Sequence, residues 1–304
     1  MKYFVIVNPT SGRGLGGRSI PEIKARFDKE DCQYELVETT RRGHALELSE
    51  KAAKGDYDVI VCASGDGTIN ETINGMIKAN GLGYQKMAFG VISIGTGNDF
   101  AGGVGIPTGL HESMDIIFKN QTKMIDMGWV KGGDFADGRY FGNGIGIGFD
   151  AAVGTYAEKI RWTRGILAYL IGVIQTVFFY YTPPTLKLVI DGKEIVQKSL
   201  MVSVMNGKRM GGGFKMAPES KIDDGLFDLC IVETASKPRI FAMIPHFLKG
   251  TQGGEKEVNM TRGKLITIDA LVGDFPCHAD GEMISFTASH LDVDLFPTSF
   301  KIIA

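Results

Sequence analysis

The sequence has few of the residues that stabilise disulfide-rich or metal-clustered proteins. Its 304 residues include five histidines without metal-ligand spacing and four scattered cysteines, none in a C-x-x-C pair. We therefore expect reduced cysteines that serve as packing residues in a cytoplasmic protein. A signal peptide is not expected either, because residues Met1–Val7 enter a strand directly. The four cysteines are Cys32, Cys62, Cys230 and Cys277.

An excess of positive charge is also missing. The formal net charge is -2, whereas a nucleic acid partner would favour a basic face, so we expect no nucleic acid partner. An almost continuously apolar stretch, Gly165–Tyr181, is shorter than the roughly 20 residues that a bilayer span needs, and it contains Gln175 and Thr176. We expect a buried or partly exposed helix there.

What the first part of the chain does contain is a strand, loop and helix pattern that occurs four times. Each apolar run is followed by a polar, glycine-containing loop and then by a helix-like pattern. Such alternation predicts a parallel sheet with helices on both faces, so that all four loops lie at the carboxyl ends of the strands. The fold class is therefore α/β, with a Rossmann-like first domain.

The loop after the apolar run Val59–Ala63 carries the strongest chemical signal. Gly65 and Gly67 bracket Asp66 and allow backbone N–H groups to approach an anion, and the helix that follows adds its positive dipole end. Asp66 is then placed near polyphosphate oxygens or their Mg²⁺. The alternative is an ordinary Asp-Gly turn.

The loop after Lys2–Val7 is a second candidate. It is rich in glycine, and Pro21 is predicted to open the following helix. Gly12, Gly14 and Gly17 fit the pattern G-x-G-x-x-G, but four residues separate them from the strand, so the match to a dinucleotide fingerprint is weak. A glycine loop without a ligand remains the alternative.

The character of the chain changes beyond Asp126. Alternating segments with Asp-Gly turns, such as the hairpin Val189–Glu194, predict a mainly antiparallel second domain. We place the domains at residues 1–126 and 127–294, and residues 295–304 can return to the first domain. Asp280-Gly281-Glu282 is a carboxylate pair around one glycine, or a plain hairpin turn.

Taken together and in this order, the motifs resemble the bacterial-type diacylglycerol and lipid kinase family, which is related to the sphingosine and ceramide kinases. Phosphofructokinases and NAD kinases look similar at the Gly-Asp-Gly-Thr loop, but the Asn-Pro start and the terminal Asp-Gly-Glu separate the lipid kinases from them. The resemblance rests on Asn8-Pro9-Thr10-Ser11-Gly12, Thr39 before Gly43, Gly65-Asp66-Gly67-Thr68, Gly95–Phe100, Lys221–Leu226 and Asp280-Gly281-Glu282.

The resemblance implies a phosphofructokinase- or NAD kinase-like first domain, a β-sandwich second domain, and the positions of the ligands. Asp224, with main-chain oxygens of Lys221 and Leu226, would hold a structural Mg²⁺, although a plain hairpin is the alternative. Glu282 would be the general base beside Asp280, and the alternative base is Asp66. The ATP-binding positions are Asn8, Pro9, Thr10, Ser11, Gly12, Thr39, Gly65, Asp66, Gly67, Thr68, Ile69, Asn70, Glu71, Thr96 and Asp99.

The expected function is therefore an ATP- and Mg²⁺-dependent lipid kinase of phospholipid metabolism that phosphorylates a hydroxyl of diacylglycerol or a related lipid. Ser64 stands where the family usually has glycine, which leaves the lipid class open. An NAD kinase-like enzyme is a second reading, but the apolar stretch Gly165–Tyr181 suits an acyl chain better than a second nucleotide. A third alternative is a non-catalytic nucleotide-binding regulator, but such a function would not explain the carboxylate pair Asp280 and Glu282.

The partner is expected to be a lipid at a membrane surface, and a homodimer is left open. Basic and aromatic residues in Lys159–Arg164 run into the apolar stretch, a combination that suits peripheral docking on an anionic bilayer. The alternative is a core helix with a solvated basic cap.

Overall fold

The structure, a computed structural model, describes residues 1–83, 86–159, 165–179 and 182–304. The chain divides into two compact units. Unit 1 comprises Met1–Ile125 with Thr298–Ala304, and unit 2 comprises Asp126–Pro297. Most of the basic segment Lys159–Arg164, on which the expectation of membrane docking rests, lies outside the described residues.

Unit 1 alternates strands and helices, as predicted. After β4 two helices follow in succession, and the short α4 begins directly at the polar loop. The elements are β1 Lys2–Val7, α1 Ser11–Lys29, β2 Gln33–Glu38, α2 His44–Ala53, β3 Val59–Ser64, α3 Asp66–Asn80, β4 Ala88–Ser93, α4 Asp99–Gly103 and α5 Leu110–Lys119.

Unit 2 consists mainly of strands, with three helices in two insertions. The elements are β5 Thr122–Gly132 (which begins in unit 1), β6 Phe135–Phe141, β7 Gly144–Gly148, α6 Phe149–Lys159, α7 Gly165–Phe179, β8 Thr185–Ile190, β9 Lys193–Met205, β10 Phe227–Glu233, α8 Lys237–Lys249, β11 Val258–Gly263, β12 Leu265–Val272, β13 Phe275–Ala279, β14 Glu282–Ala288 and β15 His290–Ile303 (which ends in unit 1).

The sheet of unit 1 is parallel, in the order β2, β1, β3, β4 and the end of β15. Every residue of β3 and β4 is buried, which is the pattern of a parallel sheet that is covered on both faces. The last strand joins β4 where Ile302 pairs with Phe89. Because the strands are parallel, the loops after β1, β3 and β4 leave the sheet at the same edge.

One boundary prediction in unit 1 is wrong, because Pro21 lies inside α1 and does not open it. The helix begins ten residues earlier, at Ser11. Its first turn is irregular, since Gly12, Arg13 and Gly14 all have positive φ. Glycine at position 16 then lets the helix pack against the β1 loop, where a Cβ would lie 2.0 Å from the carbonyl oxygen of Asn8. The three residues at positive φ are not α-helical, so the segment predicted as a loop is a tight turn continuous with the helix, and regular helix still begins well before Pro21.

Unit 2 is an antiparallel sandwich. The long strand β9 pairs with β8 over its first half and with β7 and β10 over its second half, so it belongs to both sheets. Side chains of β8, β12 and β15 meet those of β7, β9 and β10 in one buried apolar cluster. The predicted hairpin Val189–Glu194 is confirmed, because Asp191 and Gly192 form its turn with positive φ.

A second apolar cluster lies on the other face of β9 and β10. Alternation along β10 divides its side chains, since Leu229 and Ile231 belong to the sandwich core whereas Cys230 and Val232 face α6, α7 and α8. Helix α7 is partly exposed, as expected: Val173 and Val177 are buried while Ile174 is exposed. In the described residues, no helix has both the length and the apolar character that a bilayer crossing requires.

Candidate active site

Three loops of unit 1 pack together through their backbones at the carboxyl ends of β1, β3 and β4. A Cβ on Gly95 would lie 2.4 Å from the Cα of Gly65, and one on Gly12 would lie 2.4 Å from the carbonyl oxygen of Ile94. Distances this short leave no room for any side chain. The glycines that suggested phosphate loops in the sequence therefore allow the three loops to meet.

Asp66 connects the loop after β3 to the loop after β4. It is the first residue of α3, and its carboxylate accepts hydrogen bonds from the backbone N–H of Asp99 (3.3 Å) and of Phe100 (3.1 Å). The N-cap residue is Gly65, which has no side chain that could cap the helix. The N-terminus of a helix favours a negatively charged group, so the start of α3 is where an anion would be stabilised.

Asn8 connects the loop after β1 to the first turn of α3. Its Nδ2 donates a hydrogen bond to Oγ1 of Thr68 (2.9 Å), and its Oδ1 accepts from the backbone N–H (3.0 Å) and the hydroxyl (2.8 Å) of Thr10. Asn8 and Thr68 are half-buried, whereas Thr10 is exposed. The structure thereby brings together three of the predicted ATP-binding residues from two loops.

Other predicted ATP-binding residues form hydrogen bonds that hold the fold together, or are wholly or partly buried in unit 1. Glu71 is buried and accepts hydrogen bonds from the backbone N–H of Gly43 (2.7 Å) and of Ala45 (3.3 Å), so its carboxylate caps α2. The backbone N–H of Thr39, also buried, donates to the carbonyl of Val7. Ile69, Asn70 and Asp99 are buried, and Pro9, Ser11 and Gly67 are half-buried, while Thr96 is exposed.

In unit 2 the predicted carboxylate pair lies on a tight hairpin between β13 and β14. Asp280 and Gly281 have φ values of 48° and 81°, and Ala279 pairs with Glu282 across the turn. These are the dihedrals of the two-residue hairpin turn that Asp-Gly favours. The hairpin and the carboxylate pair are thus the same feature, and Glu282 is half-buried at the first position of β14.

The Asp280 carboxylate fixes this hairpin to the segment between β6 and β7. It accepts three backbone hydrogen bonds, from Gly142 (2.8 Å), Asn143 (2.9 Å) and Gly144 (3.0 Å). Its side chain is therefore committed to backbone donors. The other carboxylate of the pair, Glu282, is the one that lies nearer the surface.

A buried polar network that sequence reasoning missed joins this segment to the turn Lys221–Leu226. The amide Nδ2 of Asn206 donates to the carbonyl oxygens of Asp126 (2.9 Å) and Gly142 (2.8 Å). The Asp126 carboxylate accepts from the backbone N–H of Gly225 (2.7 Å). Both Asp126 and Asn206 have no exposed surface. The sequence signal for this network was the position of Asp126 between the apolar residues Ile125 and Met127, because a buried carboxylate needs hydrogen-bond partners.

The oxygen atoms of the turn Lys221–Leu226 suit a hard cation, because such a cation prefers carboxylate and main-chain oxygens as ligands. No group of three or more His, Cys, Asp or Glu side chains in the described part of the chain could hold a metal, so a cation here would depend on those main-chain oxygens. Arg262 competes for the carboxylate, because its guanidinium contacts Asp224 and also Asp228 (3.2 Å). Burial raises the pKa of Asp228, and Arg262 opposes that rise.

Two family models together match most of the chain. The model described as diacylglycerol kinase catalytic domain matches residues 2–130, and the model described as YegS C-terminal NAD kinase beta sandwich-like domain matches residues 143–304. The second model alone covers more than half of the chain. The order of the two matches is the order of the parallel and antiparallel units.

Curated relatives and solved structures agree with these matches. A diacylglycerol kinase of Bacillus subtilis is 29% identical over 269 residues, which are 87% of this chain and 84% of that protein. A diacylglycerol kinase of Staphylococcus haemolyticus is 28% identical over 280 residues, 91% of this chain and 81% of that protein. The crystal structure of a diacylglycerol kinase from Bacillus anthracis has a TM-score of 0.75 at 24% identity, covers 99% of this chain and 96% of that chain, and shows the same fold.

The two family models and the curated relatives together define a kinase, an enzyme that transfers a phosphoryl group. The chain belongs to the bacterial-type diacylglycerol kinase family, whose members are lipid kinases. The predicted family and fold class are confirmed, whereas the individual ligand-binding and catalytic residues stay predictions.

Proposed function

We propose that this enzyme transfers the γ-phosphoryl group of ATP, with Mg²⁺, to a hydroxyl of diacylglycerol or a closely related lipid. The convergence of three loops at the strand ends of unit 1 is the observation that carries the proposal. Phosphoryl transfer depends mainly on positioning and on charge neutralisation. Backbone N–H groups and hydroxyls gathered at one sheet edge would supply the positioning.

On the nucleotide side, the phosphates of ATP would lie at the N-terminus of α3. The backbone N–H groups at the start of α3 and the hydroxyl of Thr68, whose oxygen accepts from Asn8, would be the donors there, while the Thr10 hydroxyl donates to Asn8. Asp66 would hold Mg²⁺ against the phosphates, and the bound ion would neutralise part of their negative charge. The turn Lys221–Leu226 would hold a second, structural Mg²⁺ in place of the contact between Arg262 and Asp224.

Glu282 is the better candidate for the general base. Asp280 already accepts three backbone hydrogen bonds and would act as a positioning residue for the turn. Glu282 adjoins that rigid turn at the start of β14 and could take the proton from the acceptor hydroxyl as it attacks phosphorus. Asp66, the alternative base, accepts two backbone hydrogen bonds and would be occupied by the metal in this scheme.

Attachment to a membrane would use the apolar face of α7, which we define as Leu167, Ile174 and Phe178. These three side chains share one side of the helix, and Leu167 and Phe178 are each 59% exposed. The Lys237 ammonium lies 5.4 Å from the centre of the Phe178 ring and adds a positive charge beside the face. An anionic bilayer surface fits this combination of apolar side chains and a cation.

The membrane proposal is tested by co-sedimentation with vesicles that contain anionic phospholipid. We expect Ile174→Glu/Phe178→Glu to lose sedimentation and to keep activity on a dispersed short-chain substrate. Leu271→Glu is the matched control, since Leu271 is an exposed apolar residue of β12. Unchanged sedimentation of the double variant would refute attachment through this face.

The proposed reaction is tested with γ-labelled ATP, Mg²⁺ and a panel of diacylglycerol, sphingosine, ceramide and NAD. Labelled phosphatidic acid that disappears when EDTA is added is the expected result. Labelled sphingosine or ceramide phosphate would change the lipid class, and labelled NADP would replace the proposal with an NAD kinase reaction. ATP binding without any transfer would favour a nucleotide-binding regulator.

A further inference from the structure

A buried histidine and aspartate pair lies next to the hairpin that carries Asp280 and Glu282. Nε2 of His278 is 3.2 Å from Oδ2 of Asp150, and the two residues are only 7% and 3% exposed. His278 belongs to β13, two residues before Asp280, and Asp150 lies in the first turn of α6. The pair therefore joins the strand that leads into the hairpin to a helix of the same unit.

The space for this pair exists because residue 146 is glycine. Gly146 of β7 pairs with His278 of β13, and a Cβ on Gly146 would lie 2.0 Å from Oδ2 of Asp150 and 2.4 Å from Nε2 of His278. Any other side chain would displace one of the partners. Cys277 and Ala279 belong to the sandwich core, so the side chain of His278 leaves β13 on the opposite face, toward α6. Two strands and a helix are thus arranged around the contact.

The contact also determines how the imidazole of His278 is oriented. A carboxylate oxygen accepts hydrogen bonds, so we assign the hydrogen to Nε2, which donates it to Asp150. The other nitrogen, Nδ1, is buried and has no hydrogen-bond partner within the described residues. In that part of the chain, Asp150 is therefore the group that orients the ring.

Strand pairing is irregular at this point of β13. The register of β13 against β14 shifts twice in succession, on both sides of Cys277. Such shifts disrupt the hydrogen-bond ladder locally and bend the strand. Immediately beyond His278, Ala279 pairs with Glu282 and closes the turn. The side-chain contact between His278 and Asp150 can therefore supply a constraint on the hairpin that the irregular pairing does not.

We propose that Asp150 and His278 form a positioning pair that holds Glu282 where it acts as the general base, an inference that rests on the proposed function. Asp280 attaches the hairpin to the segment between β6 and β7. The pair attaches the strand that leads into the hairpin to α6. A shift of this strand would carry Glu282 with it, and a misplacement of about 1 Å at a reacting group can lower a rate about 100-fold.

The test compares two substitutions of His278. The side-chain nitrogen of glutamine can lie near the position of Nε2 and reach Asp150, whereas that of the shorter asparagine lies near Nδ1 and cannot. We expect His278→Asn to lower kcat by at least about tenfold and to leave KM for ATP and for the lipid within about threefold, because only the reacting geometry changes. His278→Gln should recover most of the lost rate. His290→Ala is the control and should keep the wild-type kcat, since it removes an exposed imidazole that is paired with Asp269.

A double variant tests whether the pair acts through Glu282. In Glu282→Gln the base is already absent, so adding His278→Asn should lower the residual rate by less than about twofold. A further fall of about tenfold in a strongly impaired Glu282→Gln enzyme would overturn the positioning role and leave the proposed base in place. Equal losses of kcat in His278→Asn and His278→Gln would also overturn it. Wild-type turnover of Glu282→Gln would instead refute the base assignment, and the positioning role with it.

Hydrogen exchange provides a measurement that needs no activity. The backbone N–H groups that bind Asp280 should exchange at least about tenfold faster in His278→Asn than in the wild type, and at the wild-type rate in His290→Ala. Unchanged exchange in His278→Asn would overturn the inference. A wild type that phosphorylates no lipid would refute the proposed reaction, whereas faster exchange in the variant would still support the pair as a contact that holds the hairpin.

If His278→Asn does not fold, Asp150→Asn takes its place in these measurements. Asparagine at position 150 keeps the size of the side chain and removes the charge that His278 faces. We expect kcat to fall by at least about threefold with KM unchanged. A kcat equal to that of the wild type would overturn the positioning role.

Discussion

Asp66 is held by two backbone hydrogen bonds, so replacing it with asparagine changes charge far more than shape. We expect Asp66→Asn to lower the rate of phosphoryl transfer by at least about tenfold, since the charge that would hold Mg²⁺ at the phosphates is removed. The melting temperature should fall only slightly, because an amide oxygen can still accept one of the two N–H groups. Steady-state kinetics of the purified variant measure the effect, and near-wild-type turnover would remove this loop from the mechanism.

Glu282 and Asp280 should behave differently although they are two residues apart. Glu282→Gln should abolish most turnover and leave ATP affinity within a few-fold, because a general base acts on the acceptor hydroxyl and not on nucleotide binding. Turnover and equilibrium ATP binding are measured on the same preparation. Asp280→Asn is the comparison, and it should lower the melting temperature because three backbone donors lose a charged acceptor. Equal loss of ATP binding in Glu282→Gln would contradict its assignment as the base.

At the scale of elements, the turn Lys221–Leu226 should respond to Mg²⁺ through competition with Arg262. Mg²⁺ must displace the guanidinium from Asp224, so Arg262→Gln should let Mg²⁺ raise the melting temperature at lower concentration than in the wild type. Asp224→Ala should abolish that rise. Melting is followed without nucleotide, so that Mg²⁺ bound with ATP does not contribute. Melting curves of the wild type and Arg262→Gln that do not depend on Mg²⁺ would mean that no cation binds this turn.

Asn206 holds two elements of unit 2 together through one buried amide. In Asn206→Ala the carbonyl oxygens of Asp126 and Gly142 lose their donor inside the protein, which costs about 1–3 kcal/mol for a group left unsatisfied. We expect the free energy of unfolding in urea to fall by roughly 2 kcal/mol or more. Asn259→Ala, on the exposed side of β11, is the control and should stay within about 0.5 kcal/mol of the wild type. A similar loss in both variants would refute the network's role.

At the scale of the whole molecule, the sequence predicted what depends on local pattern. Apolar runs such as Val59–Ala63 and the Asp-Gly turns predicted the parallel and antiparallel sheets, and a parallel sheet places its loops at one edge. Contacts between distant residues were not predictable. Glu71 reads as part of a phosphate loop but caps α2, which precedes it by many residues, and Asn206 reaches Asp126 across 80 positions of sequence.

Packing also decided the features that pattern alone got wrong or missed. Pro21 signals a helix start by its chemistry, yet close contact at Gly16 favours a helix that begins earlier. The apolar cluster on the outer face of β9 and β10 depends on how α6, α7 and α8 pack against it, and a single sequence contains no measure of that packing. The apolar character of α7 predicted its partial burial, but not that Val173 and Val177 are the residues that face this cluster.

The return of β15 to unit 1 determines the order in which a ribosome can complete the two units. Residues Met1–Ile125 are synthesised first, but the strand that joins β4 is contributed by Thr298–Ala304, where Phe300 packs against Phe89 with ring centres 5.8 Å apart. During synthesis the edge of β4 therefore stays unpaired while all of unit 2 is translated, and an unpaired strand edge is prone to pair with other chains. A stop codon at Thr298 would leave the whole of unit 2 encoded and would still damage unit 1, whose first residues are made long before its last strand.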